Sequence, residues 1–174
     1  MRLRISFICV CVHLGALLTN ACDDGWVTFG SSCYLFDDDI KMHFVEGAHF
    51  CASTHGGGAY LTTIESAEEL LFLQDMSKRL FKHDRNNFFF LGATDDEVEG
   101  VWRWYTDHRL VSSGYQNWAP GQPQTGTSQN CAVLWGPSGY LWEDHYCEEN
   151  AYIICEKPDI PNECNCHGQP EIVG

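Results

Sequence analysis

The chain has 174 residues, with 10 lysines and arginines against 24 acids and a net charge of −14. That balance argues against nucleic acid and anionic membranes as partners, because both are themselves anionic. The length suits about one domain, and 44% hydrophobic residues can supply one buried core.

Arg2 and Arg4 precede an apolar run over residues 5–18, and Thr19, Asn20 and Ala21 follow. A basic start, a short apolar stretch and small residues describe a secretory signal. Residues 1–21 are expected to be removed by cleavage after Ala21. The run is too short to anchor in a bilayer, and no second run of spanning length follows. The expected product is secreted and extracellular, with no membrane insertion. It loses two of the ten basic residues and none of the 24 acids, for a net of −16.

Eight cysteines remain: Cys22, Cys33, Cys51, Cys131, Cys147, Cys155, Cys164 and Cys166. An even number in a secreted chain implies disulfides, and six cysteines alone allow 15 connectivities. Zinc is a poor alternative, because the sequence has no Cys-x-x-Cys pair.

Residues 26–30 and 32–36 alternate aromatic and polar side chains across a Gly-Ser turn, as a hairpin does. Asp37, Asp38 and Asp39 read either as a metal cluster or as a solvated turn before a helix. Residues 41–53 predict that helix, with Phe44, Ala48 and Cys51 on one face. Gly56, Gly57 and Gly58 end it, since glycine accepts positive φ. Residues 60–64 predict a short strand. Ser66 and Glu69 form a capping box for a second helix ending near Leu80, with Leu70, Leu73, Met76 and Leu80 facing the core. A polar loop over residues 82–87 leads to Phe88, Phe89, Phe90 and Leu91, a continuous apolar run that predicts a buried strand. Residues 101–105 alternate as a strand, with Trp102 and Trp104 as core residues.

The stretch from 117 to 147 concentrates polar chemistry. Gln122, Gln124, Gln129, Glu143 and Asp144 could turn oxygens toward one point. Calcium takes six to eight oxygens from carboxylates, amide carbonyls, backbone carbonyls and water. An ordinary polar loop is the competing account.

The motifs Gln122-Pro123-Gln124 and Trp142-Glu143-Asp144 resemble the two triplets of C-type lectin carbohydrate-recognition domains. Cys22-Asp23-Asp24-Gly25-Trp26, Cys33-Tyr34, Phe90-Leu91-Gly92, Trp102-Arg103-Trp104 and Ile154-Cys155 extend the resemblance over residues 22–156. It implies an α+β fold: two helices flanking small antiparallel sheets, with a long disulfide-pinned loop. It implies a domain over residues 22–157 and a tail over 158–174. It also implies the pairs Cys22–Cys33, Cys51–Cys155 and Cys131–Cys147, and a cis bond before Pro123.

For function the resemblance implies glycan binding through Ca2+ at Gln122, Gln124, Gln129, Glu143 and Asp144. Asp95, Glu99 and Asn130, with Thr125 and Gln129, match an auxiliary calcium site. The sequence departs from the family in the neutral Gln124 and Gln129, while Glu143 replaces the usual Asn. Two formal charges in the ring imply weak calcium binding, toward the millimolar end. Gln first in its triplet favours galactose-type over mannose-type ligands. The loop brings no aromatic ring for the sugar face, leaving Trp135, Tyr140 and Tyr146 as candidates. His145 beside Asp144 is either a pH switch or a surface histidine without a role.

The expected activity is a secreted, calcium-dependent lectin recognising microbial or cell-surface glycans in innate immunity. The alternative is a calcium-independent module that binds a protein partner or serves as a matrix component. An enzyme is disfavoured, because no Gly-x-Ser-x-Gly or His-Glu-x-x-His is present. Cys164 and Cys166 in the Pro-containing tail suggest a disulfide-linked homo-oligomer.

Overall fold

The computed structural model describes residues 22–159, apart from positions 55, 56, 85 and 127. The expected signal and the tail cysteines Cys164 and Cys166 lie outside the described residues. Strands β1 (Val27–Phe29) and β2 (Ser32–Met42) form the first hairpin, and α1 spans Phe44–Ser53. Then come β3 (Tyr60–Leu61), α2 (Ala67–Leu80), β4 (Phe88–Thr94) and β5 (Arg103–Trp104). The long loop leads to β6 (Cys131–Trp135), followed by β7 (Leu141–His145) and β8 (Ala151–Pro158).

The sheet runs β1-β2-β8-β4-β6-β7, with β3 on β8 and β5 on β4. Its strand pairs are antiparallel, as expected, except for one. β4 and β8 run parallel through Phe89↔Tyr152 and Phe90↔Ile153. A long connection separates these strands in sequence, as a parallel pair requires.

This parallel pair explains the unbroken apolar run of β4. Phe89, Leu91, Tyr152, Ile154 and Leu134 face one buried cluster, with Leu70 and Leu73 of α2. Phe90, Ile153 and Val133 face the other, with Phe44 and Cys51 of α1. A strand covered on both faces has no polar alternation to show.

The first helix starts three residues later than the sequence predicts. Lys41 and Met42 pair with Tyr152 and Ala151 in the sheet. His43 has extended φ −66° and ψ 158°, so backbone pairing wins over helix propensity there. Past the helix, Gly57 and Gly58 have φ of +89° and +83°. In α2, Ser66 accepts from the Glu69 amide at 3.1 Å. The Glu69 carboxylate reaches the Glu65 amide at 2.7 Å instead of closing the box on Ser66. It also accepts from the Tyr34 hydroxyl at 2.6 Å, and burial raises its pKa. Leu80 is exposed and Phe81 takes the expected core position. Trp102 and Trp104 are buried.

Cys22–Cys33, Cys51–Cys155 and Cys131–Cys147 are bonded. The last joins the start of β6, where the polar loop ends, to the segment after β7.

Candidate functional site

Ala119, Pro120, Gly121 and Gln122 make a turn closed by the Gln122 amide on the Ala119 carbonyl at 2.9 Å. Proline second and a positive-φ glycine third (φ +86°) fit a type II turn. The Gln122–Pro123 bond that follows is cis. The loop is laced to β7 on both sides of Trp142: Ala119 N donates to the Trp142 carbonyl (2.8 Å), and Trp142 N donates to the Asn117 carbonyl (3.0 Å).

These bonds bring the loop glutamines against the β7 acids. Gln122 Nε2 lies 3.5 Å from Glu143 Oε2, leaving Gln122 Oε1 buried without a partner among the described residues. The Gln124 amide donates to Asp144 Oδ1 at 3.0 Å, while the Gln124 side chain is exposed. Asp144 is 3% exposed, and its Oδ2 has no hydrogen-bond partner among the described residues. Gln129 Nε2 sits 3.5 Å from the Asp144 carbonyl.

The auxiliary residues adjoin this group. The Asp95 amide donates to the Asn130 carbonyl at 3.3 Å, and Asp95 Oδ2 accepts from the Gly100 amide at 2.8 Å. Glu99 Oε1 accepts from the Gly126 amide at 3.1 Å, tying the acidic turn to the loop. Thr125 is exposed. Burial first, then the charges of Glu99 and Asp144, raise the Asp95 pKa.

Seven buried side-chain oxygens lack a hydrogen-bond partner among the described residues, and four belong to Asp95, Gln122, Asn130 and Asp144. Each such oxygen costs about 1–3 kcal/mol if nothing satisfies it. An all-oxygen donor set of carboxylates and amides suits a hard divalent cation such as calcium. A grouping of three His, Cys, Asp or Glu ligand atoms occurs instead at Cys22, Cys33 and Asp159. Its two sulfurs are already bonded to each other, so it offers no thiolate.

The chain belongs to the C-type lectin family. The Lectin C-type domain matches residues 40–157, well over half its length. The family is one of non-enzymatic carbohydrate-binding domains, which generally bind Ca2+. Perlucin of Haliotis laevigata is 35% identical over 138 residues, covering 78% of this chain and 83% of perlucin. The perlucin-like protein of Mytilus galloprovincialis is 33% identical over 134 residues, covering 76% and 81%. The lectin also resembles the mouse scavenger receptor C-type lectin carbohydrate-recognition domain, at TM-score 0.66 and 30% identity, covering 79% and 96%. A calcium-independent type II antifreeze protein matches at TM-score 0.66 and 26% identity, covering 79% and 94%.

The aromatic candidates of the lectin are dispersed. Trp135 packs on Phe88 and His145. Tyr140 is buried at the far end of β7 from Asp144. Tyr146 is 44% exposed. Trp118, which the sequence reading passed over, is half-buried beneath the loop against Trp102 (4.9 Å) and Trp142 (5.7 Å). Its position four residues before Gln122 was the available signal. His145 lies on the face of β7 opposite Asp144, between Phe88 and Trp135, with Nε2 3.2 Å from Glu149.

Proposed function

We propose that the chain is a secreted, calcium-dependent lectin whose site is built from Gln122, Gln124, Gln129, Glu143 and Asp144. Asp95, Glu99 and Asn130 hold an auxiliary ion. The observation that carries this reading is the concentration of unpartnered buried oxygens at Asp95, Gln122, Asn130 and Asp144. The main ion satisfies Gln122 and Asp144, and the auxiliary ion satisfies Asp95 and Asn130. The exposed Gln124 and the Glu143 carboxylate then offer a donor and an acceptor to a pair of neighbouring sugar hydroxyls. Gln122 as the first triplet residue favours galactose-type ligands, with mannose-type ligands second. The setting proposed is innate recognition of glycans on microbial or cell surfaces. Residues 1–21 serve as the signal, 22–157 as the lectin domain and 158–174 as the tail. Pairing through Cys164 or Cys166 supplies a covalent homo-oligomer, whose multivalency compensates weak single sites.

The test is the thermal midpoint of the oxidised protein in chelator and in calcium up to ~10 mM. A ligand selective for the folded state stabilises by RT ln(1 + [L]/Kd). The expected rise is lost when Glu143 and Asp144 are both changed to alanine. A wild-type midpoint that ignores calcium sinks the reading.

The second reading is a calcium-independent module for a protein partner or matrix. The bond from the Gln124 amide to Asp144 Oδ1 favours it, because it already satisfies part of that carboxylate. The neutral Gln124 and Gln129 favour it too, as does the likeness to a calcium-independent antifreeze protein.

A further inference from the structure

Cations are scarce in this molecule, and their placement is uneven. Outside the expected signal there are eight lysines and arginines against 24 acids. Most of the described ones are neutralised locally. Lys41 pairs with Asp84, Arg79 with Asp75, Arg109 with Glu65 and Asp107, and Lys157 with Asp23. Arg103 donates to the His108 carbonyl at 2.9 Å.

Lys78 and Lys82 differ from these. Both are exposed, and neither has a carboxylate within ion-pair distance among the described residues. Lys78 lies in the last turn of α2 beside Arg79, and Lys82 follows two residues after the helix ends. His83, also exposed, is next in the chain. Lys78 projects over the Tyr140 ring at 5.9 Å, which locates the group at the start of β7. Gathering like charges at three- and four-residue spacing is unfavourable by itself. The negative end of the α2 dipole offsets part of that repulsion.

We propose that Lys78 and Lys82, beside the Asp75-paired Arg79, form a second binding surface, for a sulfated polysaccharide. Flexible ammonium groups at this spacing suit anionic groups repeated along an extended chain, and the pairing needs no metal. The patch lies at the opposite end of β7 from Asp144, which is four residues or ~13 Å of strand away. An extended anionic polysaccharide can therefore lie across the patch without entering the Gln-Glu-Asp site. The remaining net charge of the lectin is strongly negative, and it repels the same polymer from other faces. Binding is thus confined to this patch and falls steeply with salt.

The test is titration of the purified full chain with a sulfated glycosaminoglycan oligosaccharide in chelator, and with the same oligosaccharide after desulfation. The comparison protein is the Lys78→Ala/Lys82→Ala double variant, whose fold is checked by its thermal midpoint and by calcium response. The expected result is calcium-independent binding of the sulfated form, weakened about tenfold or more in the variant, as loss of charge-assisted contacts implies. The calcium response of the variant stays that of the wild type. Equal binding by variant and wild type overturns the proposal. So does binding that appears only with calcium, or equal affinity for a single-stranded DNA of the same charge. Because the main arm runs in chelator, failure of the calcium site leaves this result readable.

Discussion

Gln124 is the residue at which the two functional readings diverge. Its side chain is exposed while its amide holds Asp144 Oδ1, so its own oxygen is free to turn toward an ion or away from it. Calcium affinity follows the number of charged ligands. Gln124→Asp is therefore expected to tighten calcium roughly tenfold by titration calorimetry, since it adds a third carboxylate to the ring. An unchanged affinity means that position 124 does not contact the ion. Asp144 differs in kind, because it is buried and its orphan oxygen Oδ2 needs a partner whatever the ligand. His145, next in sequence, faces the other side of the strand, so adjacency in the chain places it among aromatic rings and away from the site.

At the scale of elements, α2 is set by its cap and its charges. Ser66 accepts from the Glu69 amide, acids occupy the first turn, and Lys78 and Arg79 the last. Ser66→Ala is expected to cost ~1 kcal/mol, read as a lowering of the thermal midpoint by about 2–4 °C for a domain of this size. A midpoint within error of wild type shows that the buried Glu69 contacts hold the helix end without the cap. The neighbouring β4 is constrained by backbone approach. The Gly92 amide donates to the Thr62 carbonyl at 2.8 Å, and a Cβ there would lie 2.5 Å from the Leu61 carbonyl oxygen. Only glycine lets Leu61 and Thr62 come this close to β4.

At the scale of the whole molecule, the Cys51–Cys155 bond ties α1 to β8 across a sequence separation of 104 residues. Its removal in a Cys51→Ala/Cys155→Ala variant is expected to cost ~4–5 kcal/mol by chain entropy. Urea unfolding monitored by tryptophan fluorescence measures this. A loss below about 1 kcal/mol contradicts it, because a loop that long carries a large closure entropy in the unfolded chain. The tryptophans are suitable reporters, since Trp102, Trp118 and Trp142 form one cluster beneath the functional loop.

Local chemistry made much of this molecule legible from its sequence. The cap at Ser66, the apolar run over residues 88–91 and the triplets around Gln122 and Glu143 each signal through neighbouring residues. Likeness to a family supplied what spacing could not, namely the disulfide partners and the cis bond at Pro123. Other features needed the tertiary structure, because their causes are far apart in the chain. Lys41 and Met42 read as helix until β8 offers them backbone partners. The parallel pairing of β4 with β8 depends on helices covering both faces. The burial of Glu69 depends on Tyr34, and the isolation of Lys78 and Lys82 depends on where every acid ends up. The sequence by itself determined which short segments form and which family they assemble into. The tertiary structure alone decided which polar atoms are left without partners, because burial and pairing depend on contacts between residues remote in sequence.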